Sequence, residues 1–312
     1  MTTARERDRA LRYFAGSITL VTVLGHTVLG FEQAYLAPIV GAVTGVTAEF
    51  ALETVEAWAW RRRARYRGAG PGRVAGFLLP SYITGLTCAM LLSGSAHPAP
   101  VALAVLIGVG STYVLRVRVP GTAAGTPGRH YLNPPCSGAA AVLLLMPWVG
   151  AAPPYQFTEW VSGPFDALVP LALLALGAAN AGLAGRLPLA LGWAVGSALQ
   201  GLVRGAAAGL PPLGALLPMT GAAFVLYTTY LVTDLDTTPA RPRNQVWFGL
   251  AAAAVYGLLV QLHVVFGLLS ALLIVCAGRG AGLALLARVR PLTVPVPAGA
   301  RDLPEVPAGV QP

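Results

Sequence analysis

Two short polar stretches interrupt an otherwise apolar sequence, and the first begins at His130. Asn133 is followed by Pro134. Asn is a preferred helix N-cap and proline is favoured at the first helical position, so a helix is predicted to begin at Pro134. Such a helix end presents free N–H groups and a partial positive charge, which suit an anionic ligand. An ordinary capped helix at the membrane surface is the alternative interpretation.

The second stretch follows an apolar run and combines carboxylates, hydroxyls and guanidinium groups. Its candidate binding residues are Thr233, Asp234, Asp236, Thr237, Arg241 and Arg243. The two arginines could hold a phosphate, or they could pair with Asp234 and Asp236. A polar loop with local caps is the alternative. The predicted topology places them on the same side of the membrane as His130, Asn133 and Pro134, so the two stretches could form one site.

Three acidic residues lie within the second apolar run. Glu49, Glu53 and Glu56 are spaced by four and three positions, which places them on one helical face. Carboxylates inside a membrane span are often functional, so Glu49 and Glu53 are candidates to carry a proton or cation. His26, in the first run, is a third candidate. Ion pairs with the nearby arginines, and for His26 a bond to a neighbouring helix, are the alternatives.

Motifs typical of soluble enzymes do not occur. The sequence contains no catalytic-triad signature, no phosphate-binding loop of the G-x-x-x-x-G-K type and no cysteine pair for an iron–sulfur cluster. The three cysteines are widely separated, and no metal site is expected. A mechanism of the soluble-enzyme type therefore has no support in the sequence.

Composition identifies the class of protein that must position these residues. Hydrophobic residues make up 55% of the 312 residues and charged residues only 11%. Soluble domains carry about 25% charged residues. So few charges cannot cover the surface of a soluble protein of this size. The sequence therefore predicts an all-α, polytopic membrane protein.

About ten transmembrane helices emerge, because each span needs ~20 mostly apolar residues. They form a domain over residues 11–290, between a cytoplasmic segment at 1–10 and a disordered proline-rich cytoplasmic tail at 291–312. Ten spans can divide into five plus five inverted halves, as in many transporters. The predicted spans are 11–31, 35–57, 74–92, 98–115, 135–150, 165–185, 187–203, 213–233, 245–262 and 265–285.

The arginines give the orientation. All 21 basic residues are arginine, and ten spans place every one except Arg204 on the same side. Cytoplasmic loops are enriched in basic residues, so both termini are predicted to be cytoplasmic in the cell membrane. The arginines lie between apolar runs instead of forming one basic face. The expected partner is therefore the lipid bilayer and not nucleic acid.

At the two polar stretches the sequence resembles the RnfD/NqrB membrane subunits of flavin-containing, ion-pumping electron-transport complexes. Asn133-Pro134-Pro135 is similar to an Asn-Pro-Ala-type loop of that family, and Thr233-Asp234-Leu235 is similar to its Thr-Asp-Pro motif. Pro80-Ser81-Tyr82 looks like the family's mid-span break. The resemblance covers roughly residues 74–275 and implies a flavin bound at the cytoplasmic loops.

Departures from the family pattern change what the resemblance implies. Leu235 stands where the family has proline. The family attaches FMN covalently to a threonine, whereas the comparable run Gly163–Pro170 contains none. The expected cofactor is therefore non-covalent FMN or riboflavin. These losses and the composition resemble a branch of membrane proteins in actinobacterial enediyne antibiotic biosynthesis, which implies cytoplasmic biosynthetic or redox proteins as partners.

Three functions are open for a protein with these features. The first is a redox subunit that binds flavin and passes electrons to a biosynthetic partner. The second is a transporter or exporter of an apolar product or of ions, with Glu49, Glu53 and His26 as coupling candidates. The third is a non-catalytic anchor that recruits enzymes through its arginine-rich inner face, which also favours anionic lipid.

Overall fold

The computed structural model describes residues 4–28, 31, 33–93, 97–118, 128–152, 163 and 165–289. Over these residues the chain is mostly helical, as the predicted all-α class requires. Two short turns follow α8 and α9, a 3-10 turn at Leu217–Met219 and a π-helical turn at Tyr227–Leu231. The helices are α1 (Ala4–Thr27), α2 (Leu36–Ala59), α3 (Pro71–Leu91), α4 (Ala99–Val114), α5 (Pro134–Leu145), α6 (Phe165–Leu183), α7 (Leu187–Ala207), α8 (Pro212–Leu216), α9 (Ala222–Leu226), α10 (Pro242–Gln261) and α11 (Gly267–Val289).

Within the described part of the chain, four strands of two residues each form two small antiparallel ribbons. β1 (Leu92–Ser93) pairs with β4 (Gly150–Ala151), and β2 (Arg116–Val117) pairs with β3 (Arg129–His130). In the second ribbon Arg116 lies opposite His130. This pairing fixes the segment that leads into α5 beside the end of α4.

Helical structure occurs at each of the ten predicted runs, with three differences. α1 begins at Ala4, so most of the segment predicted as 1–10 belongs to this helix. α5 ends at Leu145, earlier than expected. The eighth run, 213–233, is not one helix, because its two parts meet at an angle of 61°. Pro218, which lies just before the break, lacks a backbone N–H and removes one helical hydrogen bond there. The tail 291–312 lies outside the described residues.

Three of the described helices, α2, α3 and α11, are long and apolar enough to cross a membrane, and a fourth is added if the bent eighth run counts as one span. Shorter apolar helices occur at Ala99–Val114, Pro134–Leu145 and Leu168–Leu183. These helices identify a membrane protein, while the number of ten spans stays a prediction. α7 also exposes a stripe of apolar residues four positions apart, Leu187, Leu191, Val195, Leu199 and Val203.

α3 runs without interruption through Pro80, so the expected mid-span break at Pro80-Ser81-Tyr82 is wrong. A proline removes only one hydrogen bond from a helix, and the loss can bend a helix without ending it. The hydroxyl of Thr84 donates to the carbonyl of Pro80, one turn later. The continuous helix directs Ser81 toward α2.

Corresponding helices in the two halves of the chain pack against corresponding partners. In the first half α1 packs on α3, α2 on α3 and α4, and α4 on α5. In the second half α6 packs on α9 and its π-helical turn, α7 on α8 and α10, and α10 on α11. Between the halves, α1 contacts α6 and α5 contacts α11. The eighth run therefore occupies the place in its half that α3 occupies in the first.

Close approach within each half depends on glycine. A Cβ on Gly85 would overlap the backbone of Gly41, where α3 crosses α2. A Cβ on Gly138 would overlap the carbonyl oxygen of Ala104, where α5 crosses α4. Small residues allow membrane helices to pack with their backbones in contact. In the second half a Cβ on Gly249 of α10 would likewise overlap the backbone of α7, so each half is a tightly packed unit.

Candidate functional site

The two polar stretches predicted from the sequence line one cavity of about 510 Å³, which we call the inner cavity. His130, Asn133 and Pro134 contribute one side of it, and Thr233, Asp234 and Asp236 contribute another. Its size falls within the ~300–1,000 Å³ typical of small-molecule sites. The chain thus brings together residues that are about one hundred positions apart.

Asn133 joins the two stretches directly. Its Oδ1 accepts a hydrogen bond from the backbone N–H of Cys136 at 3.1 Å, so the predicted N-cap of α5 is confirmed. Its Nδ2 donates to the carbonyl of Leu231 at 3.1 Å. Leu231 ends the π-helical turn that leads into the second stretch. One buried side chain therefore caps a helix and holds the opposite wall of the cavity.

Asp234 is held by its own loop. Its Oδ2 accepts from the hydroxyl of Thr237 at 2.6 Å and from the backbone N–H of the same residue at 3.1 Å. The hydroxyl of Thr238 donates to the Asp234 carbonyl. Thr237 itself is fully buried and lies behind the cavity wall. It orients Asp234 but does not line the cavity.

Asp236 pairs with a residue that the sequence analysis did not select. One terminal nitrogen of Arg7, in the first turns of α1, lies 2.7 Å from both of its carboxylate oxygens. Of the two alternatives for Arg241 and Arg243, the ion pair with an aspartate of this loop does not form among the described residues. Both arginines are exposed and neither lines the inner cavity.

Buried groups fix the loop that carries Asp234 and Asp236. The two terminal nitrogens of Arg186 donate to the carbonyls of Pro239 and Leu235 at 2.5 Å and 2.9 Å. Arg279 donates to the carbonyl of Thr237 at 2.8 Å. Burial lowers the pKa of Arg186, and the carboxylate of Asp234 offsets part of that shift.

Glu49 faces the inner cavity and is nearly buried, with 8% of its surface exposed. The hydroxyl of Ser81 donates to its Oε2 at 2.5 Å, and the hydroxyl of Tyr113 donates to its Oε1 at 2.8 Å. The nearest guanidinium nitrogen, from Arg65, lies 4.0 Å away. Neutral donors from α3 and α4 therefore satisfy this carboxylate, which keeps it as a proton or cation candidate.

Glu53 has a different environment, although it shares a helical face with Glu49. It is fully buried and accepts from Arg62 at 2.6 Å and from the Nε of Arg65 at 2.7 Å. The backbone N–H of Arg65 donates to it as well. Glu56 pairs with Arg62 and Arg116. The ion-pair interpretation fits Glu53, because its carboxylate is enclosed by guanidinium groups.

These contacts also act on the arginines. The hydrogen bond with Glu53 raises the pKa of Arg62 above its ordinary value. Burial is the largest influence on the pKa of Arg65 and lowers it, but the hydrogen bond with Glu53 and the negative charges nearby together leave the pKa raised. Both side chains stay protonated, so the cluster holds fixed charges at the mouth of the inner cavity.

A second cavity of about 660 Å³, here called the outer cavity, lies beyond the inner one. α1 lines the inner cavity with Phe14 and the outer one with Ile18 and Val21. α3 lines the inner cavity with Ser81 and the outer one with Met90. Both helices run the same way between the cavities, so the two open toward opposite ends of the bundle.

Three residues line both cavities and form the layer between them. They are Thr87 on α3 together with Tyr230 and Leu231 on the π-helical turn. The ring of Tyr230 lies 5.1 Å from the ring of Phe14. We call this layer the barrier. π-helical turns inside α-helices occur frequently at functional sites.

Amide side chains hold the π-helical turn from two directions. Asn180 on α6 donates to the carbonyl of Thr229 at 2.9 Å, and Asn133 donates to the carbonyl of Leu231. Neither Asn180 nor Tyr230 was selected from the sequence, because each is one polar residue in an apolar run. Asn180 could have been found only as a buried amide inside a predicted span.

The surroundings of His26 differ from those of the other candidate residues. It lies at the end of α1, lines neither cavity, and its Nδ1 is 2.8 Å from the carbonyl of Thr22. Its ring contacts Phe31 and Tyr35. The bond is to its own helix and not to a neighbour, and the structure does not bring it together with Glu49.

The inner cavity fits the ring system of a flavin better than its phosphate. Aromatic side chains of Phe14, Phe77 and Tyr230 line it. Four of its five lining arginines are already paired with carboxylates, and Arg129 is the fifth. A bound flavin would supply redox chemistry. His130, Asn133 and Asp234 would provide polar contacts to it.

The sequence matches no protein-family model, and no curated protein matches it closely enough to count as a relative. The resemblance to the RnfD/NqrB subunits therefore stays a prediction from the motifs.

Proposed function

We propose that this protein is a transporter in the cell membrane that moves a small amphipathic molecule between its two cavities. The observation that carries the proposal is the pair of cavities toward opposite ends of the bundle, with the barrier of Thr87, Tyr230 and Leu231 lining both. A transporter needs a site near the middle of the membrane that can be reached from either side.

The predicted topology of ten spans with cytoplasmic termini agrees with the proposal. Helical structure lies at all ten predicted runs, and the inner cavity is formed by the ends that the arginine distribution assigns to the cytoplasm. Packing partners in the same order favour five plus five inverted halves. In transporters of that design the substrate site lies where the halves meet. Here that place is the barrier.

The linings of the cavities indicate the class of substrate. The inner cavity carries fixed charges of both signs and hydroxyl groups near Glu49. The outer cavity is mainly aliphatic and aromatic, with residues such as Val21, Leu226 and Phe266. A molecule with a polar or charged end and an apolar body could occupy both in sequence. An apolar natural product with polar substituents meets that description.

Non-covalent flavin binding in a redox subunit is the second candidate. The observation that favours it is that both stretches resembling RnfD/NqrB motifs line the inner cavity and are joined through Asn133. A membrane anchor that recruits cytoplasmic enzymes is the third, favoured by the exposed arginines between α2 and α3. Flavin released by acid from protein purified in mild detergent would favour the redox subunit.

Cysteine labelling from each side of the membrane tests the transport proposal. Cys88, Cys136 and Cys276 are free but buried, so the parent protein provides a nearly unreactive background. Thr87→Cys places a thiol in the barrier. We expect a membrane-impermeant methanethiosulfonate reagent to label it from the cytoplasmic side in inverted vesicles and from the outer side in intact cells.

Two matched variants report on each cavity alone. Thr112→Cys lies in the inner cavity and Val264→Cys in the outer one. We expect each to be labelled from one side only. If both controls behave so and Thr87→Cys is labelled from a single side, the barrier does not alternate and the transport proposal is wrong.

A further inference from the structure

A groove rich in arginine lies where α2 ends and its loop turns toward α3. It measures about 630 Å³, and we call it the arginine groove. Arg61, Arg62, Arg63 and Arg67 line it together with Trp58 and Tyr66. It is separate from both cavities, apart from Arg62, which also lines the inner cavity. Its lining contains four guanidinium groups and no carboxylate.

Three of the four positive charges are not neutralised by the protein. Arg62 pairs with Glu53 and Glu56 on the other face of α2. Arg61, Arg63 and Arg67 are exposed, and none forms an ion pair in the described part of the chain. The groove therefore presents about three unmatched charges to an anion.

The backbone fixes two of these arginines. Arg61 itself adopts a positive φ of 49°, which turns the chain sharply after α2. Gly68 has a φ of +70°, and a Cβ there would lie 2.6 Å from a terminal nitrogen of Arg63. The guanidinium of Arg63 thus occupies the space beside the glycine. The hydroxyls of Tyr66 and Thr54 are 2.9 Å apart and close the groove floor.

Aromatic residues place the groove at the depth of lipid headgroups. α2 is one of the helices long enough to span a membrane, and it ends at Ala59. Trp58 and Trp60, on either side of this end, are 81% and 76% exposed. Tryptophan is enriched at the membrane–water interface, where its ring lies among the headgroups. A lipid phosphate in the same leaflet would reach the three free arginines.

We propose that the arginine groove binds the phosphodiester headgroup of an anionic membrane lipid such as phosphatidylglycerol or cardiolipin. The guanidinium groups of Arg61, Arg63 and Arg67 donate to the phosphate oxygens. Trp58 and Trp60 lie against the glycerol and upper acyl region. This binding site does not depend on the transport proposal, because apart from Arg62 none of its lining residues lines either cavity.

Native mass spectrometry of the detergent-purified protein tests the proposal, with phosphatidylglycerol and phosphatidylcholine titrated separately. The triple variant Arg61→Gln, Arg63→Gln, Arg67→Gln removes the free charges. Each arginine near an anionic lipid surface contributes to the binding free energy of the lipid. Losing three should weaken the first phosphatidylglycerol binding step roughly 100-fold. Phosphatidylcholine binding should not change.

The matched control removes three charges elsewhere. Arg241, Arg243 and Arg288 are exposed and on the same predicted side of the membrane. Their triple glutamine variant should bind phosphatidylglycerol like the parent. Equal loss in both triple variants, or no loss in the groove variant, would show that binding is non-specific and overturn the proposal.

Two further measurements complete the test. The first distinguishes loss of the site from misfolding of the variant, and the second distinguishes a lipid ligand from a soluble phosphate compound. The variant with lysine at positions 61, 63 and 67 keeps the charge and should retain most of the binding, whereas complete loss would contradict a site built on these charges. Inorganic phosphate or glycerol 3-phosphate at millimolar concentration should leave the bound phosphatidylglycerol in place. Displacement by either would assign the groove to a soluble phosphate compound and overturn the lipid assignment.

Discussion

Replacing Glu53 with glutamine should destabilise the protein strongly, because its carboxylate is the fully buried centre of the ion pairs between α2 and the following loop. Two oxygens accept four hydrogen bonds at 2.6–3.0 Å, from Arg62, from the Arg65 side chain and from the Arg65 backbone. Glutamine keeps one acceptor oxygen and turns an NH₂ group toward donors. About half of the bonds are lost, and two guanidinium groups lose their counter-charge.

The expected size follows from these contacts. Breaking a buried ion pair by removing one partner destabilises a protein by about 3–5 kcal/mol. The side chains of Arg62 and Arg65 are 32% and 51% exposed, so water can solvate them after the change. That exposure places the expected loss in the free energy of unfolding at the low end, at about 3 kcal/mol.

Unfolding in mixed micelles with increasing dodecyl sulfate, followed by tryptophan fluorescence, measures this free energy. Asp8→Asn is the matched control, because it removes one charge from the exposed pair between Asp8 and Arg12, whose side chains are 46% and 51% exposed. An exposed pair contributes about 0–1 kcal/mol. A loss below about 1 kcal/mol for Glu53→Gln would refute the view that this carboxylate has a structural role.

Three other changes have expected outcomes. Asn133→Ala should lower the unfolding free energy by about 1–3 kcal/mol, because the helix cap and the hydrogen bond to the π-helical turn are both lost. Asn133→Asp keeps the cap and should lower the unfolding free energy less. Equal losses for the two variants would show that the cap does not contribute. Gly138→Ala should prevent stable packing of α5 on α4, whereas Gly16→Ala, with open space around it, should be neutral or stabilising, as thermal unfolding in detergent would show. Glu49→Gln should reduce transport or efflux at least several-fold in folded protein, and unchanged transport would remove Glu49 as a coupling residue.

Local signals made part of the fold predictable. The apolar runs between arginines gave the positions of the helices, because a membrane span must be apolar along its whole length. The start of α5 was predictable because Asn133 and Pro134 are adjacent in the sequence. The break in the eighth run was missed, although Pro218 and Gly221 stand inside it. Nothing in the sequence signalled the π-helical turn.

The candidate site was less predictable, because its contacts join distant segments. Sequence proximity favoured Arg241 and Arg243 as partners of Asp236, whereas the partner is Arg7, 229 positions away. The spacing of Glu49 and Glu53 predicted that they share one helical face, but it could not show that their hydrogen-bond partners differ. Their surroundings differ because the loop after α2 folds back and brings Arg62 and Arg65 into hydrogen bonds with Glu53 and not with Glu49.

The two asparagines at the π-helical turn have a mechanical consequence. Asn133 belongs to the first half of the chain and Asn180 to the second, yet they hold carbonyls only two residues apart. Rocking of one half against the other must stretch the bond from Asn133, which joins the halves, while the bond from Asn180 moves with its own half. Each is worth about 1 kcal/mol, so the turn acts as a weak latch that fixes a resting position and can be released by thermal motion.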